Sequence, residues 1–151
     1  MTVQPLDQER VNAHYDPTSR VAHIVYSGIL EATDSAAAYA WLNAIIEEIG
    51  VEQLHGEIFD FRGVKQFQSD NLIDARKNSR RLNLRVDIHQ TPVAMIVRDQ
   101  VQEEILRGPM RNVRENRRKR IVLSEDEAYA FFTEWHSTLK SHPEEETPDS
   151  P

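Results

Sequence analysis

The chain reads as a single α/β domain, a mixed sheet of about five strands with an opening hairpin, flanked by about four helices. Three observations predict it. Short β-prone runs alternate with stretches of three- and four-residue apolar spacing in the order ββαβαβαβα. One of these runs, Pro92–Val97, is apolar throughout, as expected of a strand covered on both faces. A chain of 151 residues with 39% hydrophobic content is long enough for one packed core and too short to expect two.

Val11–Asp16 and Val21–Tyr26 flank Asp16-Pro17-Thr18-Ser19, where Pro17 suits the second position of a tight turn, and form the hairpin. Gly28 is expected to end its second strand. Thr33 or Asp34 caps a first helix whose Tyr39, Leu42, Ile45, Ile46 and Ile49 share a stripe, with Gly50 at the C-cap. Gly56–Phe61 is a third strand, followed by a loop and a second helix over about Ser69–Leu84, apolar only at Leu72, Ile73, Ala75 and Leu82. Pro92–Val97 belongs in the middle of the sheet. A third helix starts near Gln100 with Val101, Ile105 and Leu106, and Gly108-Pro109 is expected to break or kink it before Met110 and Val113. Ile121–Leu123 is the last strand. Ser124-Glu125-Asp126-Glu127 is a capping box opening a helix with Ala128, Phe131, Phe132, Trp135 and Leu139 on one face. Each strand-helix-strand step implies a parallel pair with a right-handed crossover.

Residues 1–10 read as an N-terminal extension and residues 11–140 as the domain. Residues 141–151, with three prolines and no large apolar side chain, read as a disordered acidic tail. With no cysteine, a disulfide framework, a thiolate zinc site and a cysteine nucleophile are excluded, which fits a reducing compartment and makes the cytoplasm the expected location. The first ten residues lack a leader's basic and apolar regions, and no apolar run approaches the ~18 residues that span a bilayer, so neither export nor a transmembrane segment is expected.

The net charge of −7 is segregated. Residues 62–120 hold 15 of the 18 Lys and Arg but only seven of the 25 Asp and Glu. Within this basic middle, Arg76, Lys77, Arg80, Arg81 and Arg85 crowd the second helix, with 76/80 and 77/81 as like-charged i,i+4 neighbours. A second run, Arg111, Arg114 and Arg117–Arg120, precedes the last strand. Such a surface suits an acidic protein or a phospholipid head group, or simply a solvated face. Nucleic acid is disfavoured, because the whole chain is acidic and neither run has interleaved aromatics for base stacking.

No catalytic constellation is visible. His14, His23, His55, His89, His136 and His142 are scattered without metal-ligand spacing, and there is no phosphate-binding glycine loop or nucleophile elbow. No cofactor is implied. The informative stretch is Ile58-Phe59-Asp60-Phe61-Arg62-Gly63-Val64 leading to Phe67-Gln68-Ser69-Asp70-Asn71-Leu72, a strand end running onto a helix start. Free N–H groups and a partial positive charge converge at such places. Asp60 either fixes the turn or acts as a functional carboxylate. Ser69 either caps the helix or accepts a phosphate, which Arg62, Lys65 and Arg76 would attract and Asp70 and Asp74 oppose.

The element order and this strand-helix junction resemble the STAS domain and its SpoIIAA-like relatives, the anti-sigma-factor antagonist fold, over roughly residues 11–139. Asp60-Phe61-Arg62-Gly63-Val64 is similar to the family's Asp, apolar, variable, Gly, Val strand end. Gln68-Ser69-Asp70-Asn71-Leu72 stands where regulatory members carry Asp-Ser-Ser-Gly-Leu, so Ser69 takes the place of the phosphorylated serine, with Gln68 replacing the acidic residue before it. Stand-alone bacterial SpoIIAA-like proteins, also described as STAS/SEC14-like, share the Ile-Phe-Asp strand, the Pro-Val-Ala strand and the terminal helix Glu127-Ala128-Tyr129-Ala130-Phe131. The resemblance implies a non-enzymatic binding or regulatory module. Its candidate surface is Asp60, Arg62, Lys65, Ser69, Asp70, Asn71, Arg76 and Arg80, within the loop 62–71 and the basic helix. A carrier or sensor of a lipid or small apolar ligand is the alternative, with Gly108-Pro109 hinging a helix over a cleft. A homodimer through sheet edges or Ile29 and Leu30 is left open.

Overall fold

Strands and helices alternate through the computed structural model, which describes residues 2–85, 90–110 and 118–141. The strands are β1 (Leu6–Asp7), β2 (Val11–Asp16), β3 (Val21–Leu30), β4 (Gly56–Phe67), β5 (Val93–Ile96) and β6 (Lys119–Val122), and the helices α1 (Ala32–Ile49), α2 (Ser69–Arg85), α3 (Gln100–Met110) and α4 (Glu125–Ser141). The six strands form one sheet in chain order. β1, β2 and β3 are antiparallel neighbours, and β3 to β6 run parallel, as strand-helix-strand crossovers require.

Helices cover both faces. On one, the apolar stripe of α1 (Ala38, Trp41, Leu42, Ile45, Ile46) packs with Leu82 of α2 and Leu106 of α3 over Ala22, Ile24, Tyr26, Phe59, Phe61, Val93 and Met95. On the other, Ala128, Phe131 and Phe132 of α4 pack over Val21, Ile58, Ala94, Ile96 and Val122. All four residues of β5 are buried, two to each cluster, which is why that run carries no polar residue. The hairpin, the α1 stripe with Gly50 in a positive-φ C-cap, and the capping helix α4 follow the sequence expectation. Ser124 Oγ accepts the Glu127 N–H at 3.2 Å, and the Glu127 carboxylate reaches back to the Leu123 N–H at 3.3 Å.

Four expectations are corrected. The sheet has six strands rather than five, because Leu6–Asp7 pairs with Asn12 and Ala13, and the residues before it are built in as well. The Trp41 indole donates to the Gln4 carbonyl at 3.0 Å, and the Val3 N–H donates to the Glu48 carboxylate at 2.8 Å. Second, β3 does not end at Gly28 but passes through it at φ 76° to Leu30. Third, α1 begins at Ala32, capped by Glu31, two or three residues earlier than a cap at Thr33 or Asp34 implies. Asp34 acts from inside its first turn, accepting the Glu31 N–H and the Arg10 Nε–H, each at 2.8 Å. Fourth, α3 is helical through Gly108-Pro109 to Met110, so the described helix is not broken before Met110. Val113, the run Arg111 to Arg117, His89, His142 and residues 142–151 lie outside the described residues.

Candidate binding surface

β4 shapes the region. It does not stop at Phe61 but continues to Phe67, so most of the expected loop 62–71 is strand. Its register against β3 slips twice: Val25 faces Asp60 while Ser27 faces Gly63, and Gly28 faces Val64 while Ile29 faces Gln66. Each slip places an extra residue in β4, which breaks the alternation that marks a strand in sequence. Gly63 sits where a Cβ would stand 3.2 Å from the Tyr26 carbonyl oxygen, so the close approach of β3 and β4 favours glycine there.

The irregular end of β4 is held from α3. Gln102, buried, donates through Nε2 to the carbonyls of Phe61 (2.9 Å) and Val64 (3.1 Å), while its Oε1 accepts the Arg98 N–H at 2.7 Å. Arg98 adds bonds to the carbonyls of Arg62 and Val64. Asp99 caps α3 by accepting the Gln102 N–H at 3.0 Å, and that bond, with Arg98 beside it, holds its carboxyl below the ordinary range. Sequence reasoning missed Arg98 and Gln102, and no local signal marks them, because their partners are carbonyls exposed by distant bulges.

The sequence candidates divide between the two faces. Asp60 stands on the α4 side. Its carboxylate accepts the Arg62 backbone N–H at 3.0 Å and the guanidinium at 3.1 and 2.8 Å, and Arg62 in turn reaches Glu125 of α4 at 3.6 Å. The hydrogen bond to Asp60 is the main reason the Arg62 pKa rises. This cluster ties β4 to the start of α4. Asn71 is buried and donates through Nδ2 to the Glu31 carbonyl at 2.8 Å, joining α2 to the start of α1. Ser69 is the first residue of α2, after Gln68, whose N–H donates to Leu30 O and whose carbonyl accepts the Asn71 N–H, each at 3.0 Å. Ser69, Asp70, Lys65, Arg76 and Arg80 are exposed, and Lys77 and Arg81 join them.

Beside these charges lie aliphatic side chains in solvent. Ile73 on α2 is 59% exposed, and Val101 and Ile105, one turn apart on the neighbouring helix α3, are 69% and 40% exposed. Ion pairs of the described residues stand at Arg10–Asp34, Arg62–Asp60 and Arg120–Glu134, and α3 carries its own between Arg107 and Glu103. The second basic run behaves differently where it is described. Arg118 is buried and donates to the Thr91 carbonyl, and Lys119 donates to the Ser79 hydroxyl at 3.1 Å. Beneath them burial pushes the Glu57 carboxyl up, with Arg118 and Lys119 pulling it back. Arg120 lies over the Phe131 ring at 4.3 Å. Arg118 and Lys119 therefore link β6 to its surroundings and do not extend the α2 surface.

This architecture is that of the SpoIIAA-like fold. A solved structure of an uncharacterised DUF3478-family protein from Shewanella loihica PV-4, described as SpoIIAA-like, is similar at TM-score 0.53 and 14% identity, covering 81% of this chain and 91% of that one. The unphosphorylated form of the anti-sigma factor antagonist SpoIIAA is similar at 0.54 and 12% identity, over 80% and 94% of the two chains. An anti-sigma factor antagonist from Mycobacterium paratuberculosis is similar at 0.55 and 13% identity, over 82% and 94%. No protein-family model and no curated protein matches the sequence. At these identities the likeness shows the fold. No helix among the described residues is long and apolar enough to cross a membrane.

Proposed function

We propose that the protein is a non-catalytic binding module that captures an acidic protein partner on the exposed sides of α2 and α3. The observation that carries this reading is the exposure of Ile73 on the same helix as the exposed cations Arg76, Lys77, Arg80 and Arg81, with Val101 and Ile105 exposed on the neighbouring helix α3. Aliphatic groups left in water near a run of four cations offer a partner both apolar burial and electrostatic steering, against which the exposed Asp70 and Glu104 act. Lys65, Ser69 and Asp70 border this surface, where a phosphate on Ser69 would add close to two negative charges at the helix N-terminus. Asp60, Arg62 and Asn71 serve it indirectly by fixing the bulged strand and the start of α2. Two of the structural neighbours are described as anti-sigma factor antagonists, which fits a role exerted by binding.

Capture of partners by the immobilised protein, from an extract of its own source, tests the reading. Arg76→Glu with Arg80→Glu should lower retention of the acidic partner about tenfold or more, with the circular dichroism spectrum unchanged. Ser69→Asp should alter retention too. Retention unmoved by both changes would sink the proposal, and a lipid-sized adduct in native mass spectrometry would favour a carrier instead.

A further inference from the structure

Four of the chain's six histidines are stacked in two face-to-face pairs, and both pairs lie on the seam between α4 and the sheet. His14 of β2 and His23 of β3 face each other across the hairpin with ring centroids 4.8 Å apart and planes 3° from parallel. Nε2 of His23 meets the Tyr129 hydroxyl of α4 at 2.9 Å. His55, just before β4, stacks on His136 of α4 at 4.1 Å and 18°, and Nε2–H of His136 donates to the His55 carbonyl at 2.7 Å. The edge of Phe132, at the centre of the α4 core, abuts His55. One stack thus sits toward the start of α4, at Tyr129, and the other about two turns further along, at His136.

We propose that these two stacks make the seating of α4 on the sheet proton-sensitive, so that mild acidification loosens this helix before the rest of the fold. Charging both rings of a pair would press two cations together in face contact. On a charged His23 both ring nitrogens donate, so Nε2 meets the Tyr129 hydroxyl only as a donor and the hydroxyl must turn its own proton to another acceptor. The groups around His23 are His14 and Asp16 from β2, Asp60 from β4, and Glu125 and Tyr129 from α4. The three carboxylates favour its charged form, yet burial, followed by His14, prevails and its pKa is lowered. Around His55 stand His136 of α4 and Arg20 of the hairpin turn, and burial first, then these two, lower its pKa as well. A histidine held below its unfolded value of about 6.5 stabilises the fold fully above that pH and loses its contribution as pH falls through and below it. The seam should therefore hold at neutral pH and weaken from about pH 6.5 downward.

The two tryptophans supply an internal comparison. Trp135 on α4 donates its indole N–H to the Gln90 carbonyl, and Trp41 on α1, across the sheet, donates to the Gln4 carbonyl. NMR of the full chain from pH 8 to 5.5 should show His23 and His55 titrating below about 6.5, with the Trp135 indole resonance shifting or broadening over that range while that of Trp41 stays put. In urea unfolding, each of the two histidines should contribute up to about a tenfold fall in the folding constant per pH unit, so His23→Gln with His55→Gln should flatten the dependence by up to about a hundredfold per unit. Histidines titrating at or above about 6.5, or equal responses of the two indoles, would overturn the proposal. An unchanged slope in the double variant would overturn it too, and if that variant does not fold, the wild-type titration alone decides.

Discussion

Gly56 shows how strongly one position can be constrained without any visible motif. A Cβ there would stand 2.6–2.7 Å from three ring atoms of Phe132, a side chain with no exposed surface. At these distances the buried ring or the strand must shift to admit a methyl group, so Gly56→Ala should cost about 1–3 kcal/mol through overpacking. Urea denaturation would register this as a lower midpoint at unchanged slope. Combined with Phe132→Leu, the penalty should be smaller than the sum of the two single changes, because the second change removes the obstacle. Asn71 and Asp60 teach a related lesson. Both were legible as polar residues at a junction; Asp60 binds Arg62 two residues on, a local bond, whereas the Glu31 carbonyl that Asn71 binds, forty residues away, is set by tertiary packing that spacing along the chain does not encode.

Elements were legible where a single periodicity runs unbroken. α1 and α4 each bury one stripe between recognisable caps, and β5 is apolar because both of its faces are covered. β4 was legible only to Phe61, since two bulges, an exposed Arg62, Lys65 and Gln66, and Gly63 between them imitate a loop. What keeps this stretch a strand comes from another element, the Gln102 amide of α3. Gln102→Leu keeps the apolar volume but removes the Gln102 partner of the Phe61 carbonyl and of the Arg98 N–H, while Arg98 still serves the Val64 carbonyl. A buried group left without a partner costs about 1–3 kcal/mol. The expected outcome is a destabilised protein whose Arg62 to Val64 amides exchange with deuterium faster than those of Gly56 to Phe59. Uniform exchange along β4 would show that the bulged end holds itself.

At the scale of the whole molecule, charge segregation was visible in sequence, but its distribution in space was not. The same basic middle supplies an exposed face on α2 and the buried Arg118 under β6. The boundary of the domain was harder still, because Met1 to Arg10 carry too few apolar residues to announce a strand. Yet Leu6–Asp7 closes the outer edge of β2, and the segment before it is anchored twice to α1, through Trp41 and Glu48. Burial first, opposed by the bonds from Thr2 and Val3, acts on the Glu48 carboxyl, whose pKa ends lower. Removing residues 1–7 would strip these bonds, unpair the backbone of Ala13 and Asn12, and open the neighbourhood of the Trp41 ring to water. An uncovered edge strand is a template for pairing with another chain. The truncated protein should therefore melt earlier, shift Trp41 emission to the red and elute as a larger species with rising concentration, whereas the intact chain at equal concentration should not change its elution. If truncation left both melting and elution unchanged, β1 would be a passive edge and the fold would be complete from Val11 onward.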